Sequence, residues 1–277
     1  MSFAAYETSR ERGAPVELYM FDYPGGGPSQ TYRYTNAVRD IAFGGGTFKK
    51  IPISRDNMKT DGKFDKSQLN VNVPVSTELA ALFLPYPPPG VVRCRIWQGH
   101  LSDPDHAFKV VWHGRVLSVA REENEAKLTC DSTILSYKRR GLHRFYQHGC
   151  PLPLYGQRCR APKANFRYPV VVESVDASTI HLPTGWNQGR NPSAFVGGTF
   201  EWDSEYGHEV RMIIRATATS LTMAGYIRDL EANDHADLYL GCGHNMTACK
   251  DVFDNIVNYG GQPWIPFKNP TQQHPYW

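Results

Sequence analysis

No stretch of this 277-residue sequence approaches the run of about eighteen apolar residues that a membrane span requires. The opening residues, MSFAAYETSRERGAP, lack the basic start and apolar core of a secretory signal, which predicts assembly in a reducing host cytoplasm. Charge of one sign is also scarce. The net charge is +3, the basic residues are dispersed, and Lys138-Arg139-Arg140 is the one basic run, so composition makes no case for general nucleic-acid binding. Internal repeats and low-complexity tracts are absent. With 41% hydrophobic and 21% charged residues, the composition argues against disorder over most of the length. The glycine runs Gly25–Gly27 and Gly44–Gly46 are too short and too poor in lysine for phosphate loops, and read as turns.

What is present is mostly β patterning. Residues 3–9 and 16–23 read as strands, the second with Glu17, Tyr19 and Phe21 on one face and Leu18, Met20 and Asp22 on the other. A turn is expected at Gly25–Pro28. Further strands are expected over 30–34, 47–54, 68–74, 91–98, 109–121 and 126–131. Residues 77–84 predict one short helix capped by Thr77, and PYPPPG at 85–90 breaks the pattern after it. Beyond about residue 146 cysteine, proline and glycine cluster without periodicity. Strands are then expected over 168–175, 179–182, 198–203, 210–217, 220–223 and 237–240. Residues 251–257 predict a helical turn or two, and 259–277 little regular structure. The resulting division is a β-rich unit over 1–146 and a cysteine-bearing unit over 147–277 with an inserted β module at about 160–240.

Six cysteines in a cytoplasmic chain argue for metal or cluster binding before disulfides. Four come in two pairs, GCPLPLYGQRC (Cys150, Cys159) and GCGHNMTAC (Cys242, Cys249), with 82 residues between the pairs. A glycine precedes each pair (Gly149, Gly241), where a close backbone approach to an inorganic core would need one. Iron–sulfur clusters need four thiolates, amides aimed at the sulfurs and exclusion of water. A structural zinc site also uses four thiolates, usually with two to four residues between paired cysteines. Here the gaps are eight and six. Spacing alone leaves a cluster and ordinary buried thiols evenly matched. Cys94 in VVRCRIW and Cys130 in KLTCDS sit in strand-like contexts and read as core.

The residues after Cys249, KDVFDNIVNYGGQPWIPFKNP, resemble the C-terminal domain of a phage minor-tail family. Gly241, Cys242, Cys249, Phe253, Asn255, Asn258, Tyr259, Gly260, Gly261, Pro263, Ile265 and Pro266 carry the match, and Gly149, Cys150 and Cys159 match its upstream pair. The family occurs in siphophages and gene transfer agents and is functionally similar to the tail tip protein L of phage lambda. The resemblance implies a mainly β fold: an N-terminal β-barrel-like hub domain, then a β-rich, partly irregular domain organised around the cluster. It also implies a [4Fe–4S] cluster on Cys150, Cys159, Cys242 and Cys249, with His244, Asn255, Asn258, Tyr259, Gly260 and Gly261 around it. Zinc is the alternative cofactor. The implied role is a virion component at the tail tip, a hub or minor tail protein and not an enzyme. It would form a homotrimer between the distal tail protein and the central receptor-binding or fibre protein, with the tape measure protein a further candidate neighbour. Tyr259, Pro263 and Trp264 are expected to keep water from the sulfurs.

Several residues invite other chemistry. His143, His148, His235 and His244 lie near the cysteine loops, and a mixed zinc site can be drawn from them. Of these, His244 in GCGHN is the one placed to touch a cysteine site. Asp203 with Glu205, and Asp229 with Glu231, could be cast as acid and base, but no surrounding motif supports catalysis and such pairs are usually solvated surface charge. An iron–sulfur redox enzyme remains a third reading. It would need an iron with an open position, which four cysteine ligands do not leave.

Overall fold

The computed structural model describes residues 3–9, 13–25, 30–58, 68–105, 107–133 and 146–266. Residues 26–28 of the turn expected at Gly25–Pro28, the basic run Lys138–Arg140, His143 and the chain beyond Pro266 lie outside them. Two compact units emerge, one of residues 1–139 with 205–208, the other of 140–204 with 209–277.

The first unit is built on a nine-stranded sheet. Its strands are β1 (Pro15–Tyr23), β2 (Gln30–Thr35), β3 (Ile41–Phe43), β4 (Gly46–Lys50), β5 (Ser54–Arg55), β6 (Leu69–Pro74), β7 (Arg93–His100), β8 (Lys109–Glu122) and β9 (Glu125–Ser132). They are ordered β3-β4-β2-β1-β7-β8-β9-β6-β5. In β1 the alternation of apolar and polar residues is weak because both of its faces are covered. Tyr19, Phe21 and Tyr23 enter one apolar cluster with Val71, Leu79, Ile96 and Leu128. Val16 and Leu18 enter another with Ile41 and Phe48. Each large apolar side chain buried this fully contributes about 1.5–3 kcal/mol. Gly44 and Gly45 turn the β3–β4 hairpin with φ of +59° and +79°, the left-handed region that favours glycine.

The barrel expected for this unit is not closed. β4 stands near one end of the strand order and β5 at the other, yet only residues 51–53 join them, so the chain brings the two edges within about 14 Å. Arg55 on β5 pairs with Glu17 on β1. Among the described residues no ladder completes the ring; β5 is two residues long and Pro52 before it has no N–H to donate. A second correction concerns residues 3–8, which form helix α1 (Phe3–Thr8) instead of a strand. The ring of Tyr6 stacks on His100 at 5.7 Å and Glu7 meets His100 at 3.2 Å, contacts that dock the helix on β7. The short helix expected after Thr77 is there as α2 (Glu78–Ala81), with Thr77 accepting from the Ala80 N–H.

The second unit holds β10 (Arg167–Val171), β11 (Ser174–Asp176), β12 (Thr179–His181), β13 (Thr199–Ser204), β14 (Gly207–Ala216), β15 (Ser220–Met223) and β16 (His235–Tyr239). They form one sheet ordered β10-β16-β13-β14-β15-β12-β11. Its core is aromatic: Trp186, Phe195, Phe200 and Trp202 pack with Ile180, Ile213, Leu221 and Leu238. The buried indoles keep their N–H bonds, Trp202 to the Arg228 carbonyl at 2.9 Å and Trp186 to the Ala218 carbonyl at 3.0 Å. Helix α3 (Met246–Asp251) begins earlier than the helical turn expected over 251–257, since the Asn245 side chain caps it by accepting from Ala248 N–H at 2.7 Å. Among the described residues no helix is long and apolar enough to cross a membrane.

Candidate functional site

The second cysteine loop starts where β16 ends. There the backbone passes so close to the segment before β13 that side chains have no room. A Cβ on Gly241 would lie 1.9 Å from the Val196 carbonyl oxygen, and one on Gly198 would lie 2.0 Å from that of Tyr239. Gly241 is therefore required by a backbone crossing that fixes where Cys242 begins, not by an approach to the sulfurs. Asn245 then caps α3, and that helix carries Cys249, buried at 8% exposure.

The first loop, residues 146–160, is a chain of turns (Gly156 N–H to the Pro153 carbonyl at 3.1 Å, Arg160 N–H to that of Gly156 at 3.0 Å). It meets the second loop through its backbone. Cys150 N–H donates to the His244 carbonyl at 2.7 Å, and the His244 imidazole Nδ1 lies 2.9 Å from the Cys150 carbonyl oxygen. One small cavity results, lined by Cys150, Cys159, Cys242 and Cys249, with Leu152, Leu154 and Phe253 as apolar wall. Cys94 and Cys130 are elsewhere, fully buried in the core of the first unit.

Donors surround the sulfurs. Gly260 N–H points at Cys150 Sγ (3.4 Å) and His244 N–H at Cys242 Sγ (3.3 Å). Asn255 Nδ2 lies 3.7 Å from Cys159 Sγ and donates to the Cys159 carbonyl at 2.6 Å. Asn258 Nδ2 donates in turn to Asn255 Oδ1 at 2.6 Å, and the Cys249 thiol donates to the Asn255 carbonyl at 3.2 Å. A Cβ on Gly260 would press on Leu152 at 2.7 Å and approach Cys150 Sγ to 3.4 Å, so here glycine does serve the sulfur. Tyr259 OH donates to the His148 carbonyl at 2.8 Å, and Gln262 N–H to that of Gln147 at 2.9 Å, tying the strap 259–262 to the first loop.

Burial pushes the Cys242 and Cys249 thiols above their ordinary range, and the neighbouring thiols of the set push them further; His244 N–H works the other way on Cys242. Among the described residues no group of three or more His, Cys, Asp or Glu is arranged to hold a single metal ion. The four thiols share the walls of a cavity instead.

Two expectations need correction or addition. Trp264 does not shield the sulfurs, since it is 88% exposed. Tyr155 carries no signal in the sequence, yet its OH donates to the Leu240 carbonyl at 3.0 Å and its ring meets Phe253 and Tyr239 edge-on. Burial raises the phenol pKa, with Cys242 and Cys159 adding to it. Asp203, Glu205, Asp229 and Glu231 are exposed, as expected for surface charge, and His235 is exposed too.

A relative from Xylella fastidiosa (strain 9a5c), described as an uncharacterized protein, is 31% identical over 141 residues, which is 47% of this chain and 28% of that protein. The chain therefore spans well under half of that relative's length. A chain from the virion of the native gene transfer agent (GTA) particle has the same fold, with a TM-score of 0.76 over 99% of this chain and 96% of that one, at 17% identity. Residues 193–269, which include Cys242, Cys249 and the strap, match the model of a family described as "Phage conserved hypothetical protein BR0599".

Proposed function

We propose that this chain is a structural component of a phage-type tail, placed at the tail tip, whose second unit is stabilised by a [4Fe–4S] cluster on Cys150, Cys159, Cys242 and Cys249. The observation that carries the reading is the convergence of two cysteine pairs on one apolar-walled cavity with N–H donors aimed at three of the sulfurs. The donor set fits the group: soft thiolates, no carboxylate in the wall, and amides placed to stabilise charge on sulfur. When bound, the cluster would cross-link two loops that are far apart in sequence. The chain's own residues supply the rest. Gly260, His244 and Asn255 donate to the sulfurs, Leu152, Leu154 and Phe253 exclude water, and Tyr259 holds the strap over the first loop.

Assembly as a trimer, between the distal tail protein and the central fibre protein and within reach of the tape measure protein, belongs to the same proposal. The phage family match and the shared virion fold support it. So does the centre strand β14, where Val210, Met212 and Ile214 stand 42%, 51% and 52% exposed, an apolar stripe of the kind that assembling proteins cover. Cross-linked tails showing one copy or six would overturn the trimer. The role is non-enzymatic, so zymograms on peptidoglycan should be blank.

Anaerobically purified protein should absorb broadly in the visible and contain iron and sulfide in near-equal amounts. Serine at any of the four cysteines should remove that absorbance, while Cys94→Ala and Cys130→Ala should keep it. Zinc without sulfide would establish the alternative cofactor.

A further inference from the structure

We infer that Tyr155 assembles the four-cysteine cage before any cluster is bound, so that the cage is a preformed acceptor and not a site that folds around its metal. The nature of the ligand rests on the proposed cluster reading; the geometry of the cage does not.

Tyr155 lies midway between Cys150 and Cys159. Its OH reaches the carbonyl of Leu240, two residues before Cys242. Its ring sits edge-on to Phe253, which lies between Cys249 and Asn255 in the chain, with centroids 6.1 Å apart at 76°. The same ring meets Tyr239 at 6.0 Å and Phe166 at 6.2 Å. One side chain thus touches every segment that carries a cysteine of the set. The backbone at Tyr155 has φ +58°, a left-handed conformation that a non-glycine residue keeps only where the surroundings dictate it. Arg160 (+57°), His244 (+54°) and Asp254 (+45°) share that conformation in the same loops.

The other ties between the loops use no sulfur either. Cys150 N–H binds the His244 carbonyl, Asn255 Nδ2 the Cys159 carbonyl and Gln262 N–H the Gln147 carbonyl. Many small zinc domains, by contrast, are unfolded without metal. Here the protein closes the cage with its own hydrogen bonds and an aromatic clamp, and an iron source has only to fill it.

The test uses the full chain purified with chelator and reductant, so that it is iron-free. Amide hydrogen exchange is read over 148–160 and 241–261, and N-ethylmaleimide labelling at the four thiols, for the wild type, Tyr155→Phe and Tyr155→Ala. Protection over β13, β14 and β16 reports that the sheet is folded. The iron-free wild type should protect both cysteine segments. Tyr155→Ala should exchange and label there about tenfold faster with the sheet still protected, and Tyr155→Phe should fall between. Reconstitution with ferrous iron and sulfide should slow in the same order, and its recovery in Tyr155→Phe separates the ring from the hydroxyl. Cysteine segments in the iron-free wild type that exchange like an unfolded chain would overturn the inference. So would Tyr155→Ala behaving as the wild type. If Tyr155→Ala does not fold, Tyr155→Phe decides, and unchanged exchange at 241–244 overturns the hydroxyl's role. Protected segments in a wild type that never takes up iron and sulfide would support the preformed cage while overturning the cluster reading, so the two failures are distinguishable.

Discussion

Replacing Asn255 by alanine tests whether the cage depends on one amide. Asn255 is 8% exposed, and its side chain makes two short bonds, donating to the Cys159 carbonyl and accepting from Asn258. Asn258 is half-buried and can turn to water, so its loss is small. The Cys159 carbonyl is less free to do so. Losing the two bonds and stranding that carbonyl should cost about 2–4 kcal/mol. For a unit of this size that is a fall in Tm on the order of 10 °C. Scanning calorimetry of the iron-free and iron-loaded protein measures it, and the rate of iron loss to a chelator gives a second readout. Asn255→Asp should be worse than alanine, because a carboxylate would then face the Cys159 carbonyl and the nearby thiols. Asn255→Asp with wild-type Tm and iron retention would refute the reasoning, since the donor to Cys159 would then be dispensable.

Other substitutions test other parts of the molecule. Lys163 Nζ contacts both oxygens of buried Glu201 at 2.7 and 2.6 Å, and Lys163→Met should cost about 2–3 kcal/mol in denaturant titrations, partly recovered by adding Glu201→Gln. Trp264→Ala should change neither Tm nor iron retention, within about 0.5 kcal/mol, because the ring is exposed. Burial raises the Tyr34 phenol from its ordinary value of 10 to about 12, with Glu78 adding to it. Because the folded value is the higher, this stabilisation is complete below pH 10 and lost as the pH rises toward 12; Tyr34→Phe should flatten that decline in the denaturation midpoint.

The strands are legible in the sequence where one face is polar and the flanks carry turn residues. β6, β9, β13 and β15 fall within a residue or two of the sequence reading. β3 and β5, at three and two residues, are too short to show a period and exist only because a neighbour pairs with them. α1 reads as a strand because FAAYET alternates weakly in size. Its paired alanines favour a helix, and the decisive contact, Tyr6 on His100, spans more than ninety residues. The open edge of the first sheet has no periodic signal in the sequence. It depends on Pro52 and a two-residue strand at the point where the chain crosses from one end of the sheet to the other.

The cysteine loops are legible for a different reason. Gly241, Gly260 and Gly261 mark backbone with little room for a side chain, and that signal survives in one sequence even where periodicity does not. It gives the place but not the partner. Gly241 meets Val196, and only Gly260 approaches a sulfur. Tyr155 and Asn255 bond carbonyls 85 and 96 positions away, so their roles depend on a fold that brings β16 beside the first loop. A sequence can show that a loop is tight. Which distant carbonyl holds it tight is a property of the sheet beneath, and in this protein those carbonyls, more than the thiols, determine where the sulfurs stand.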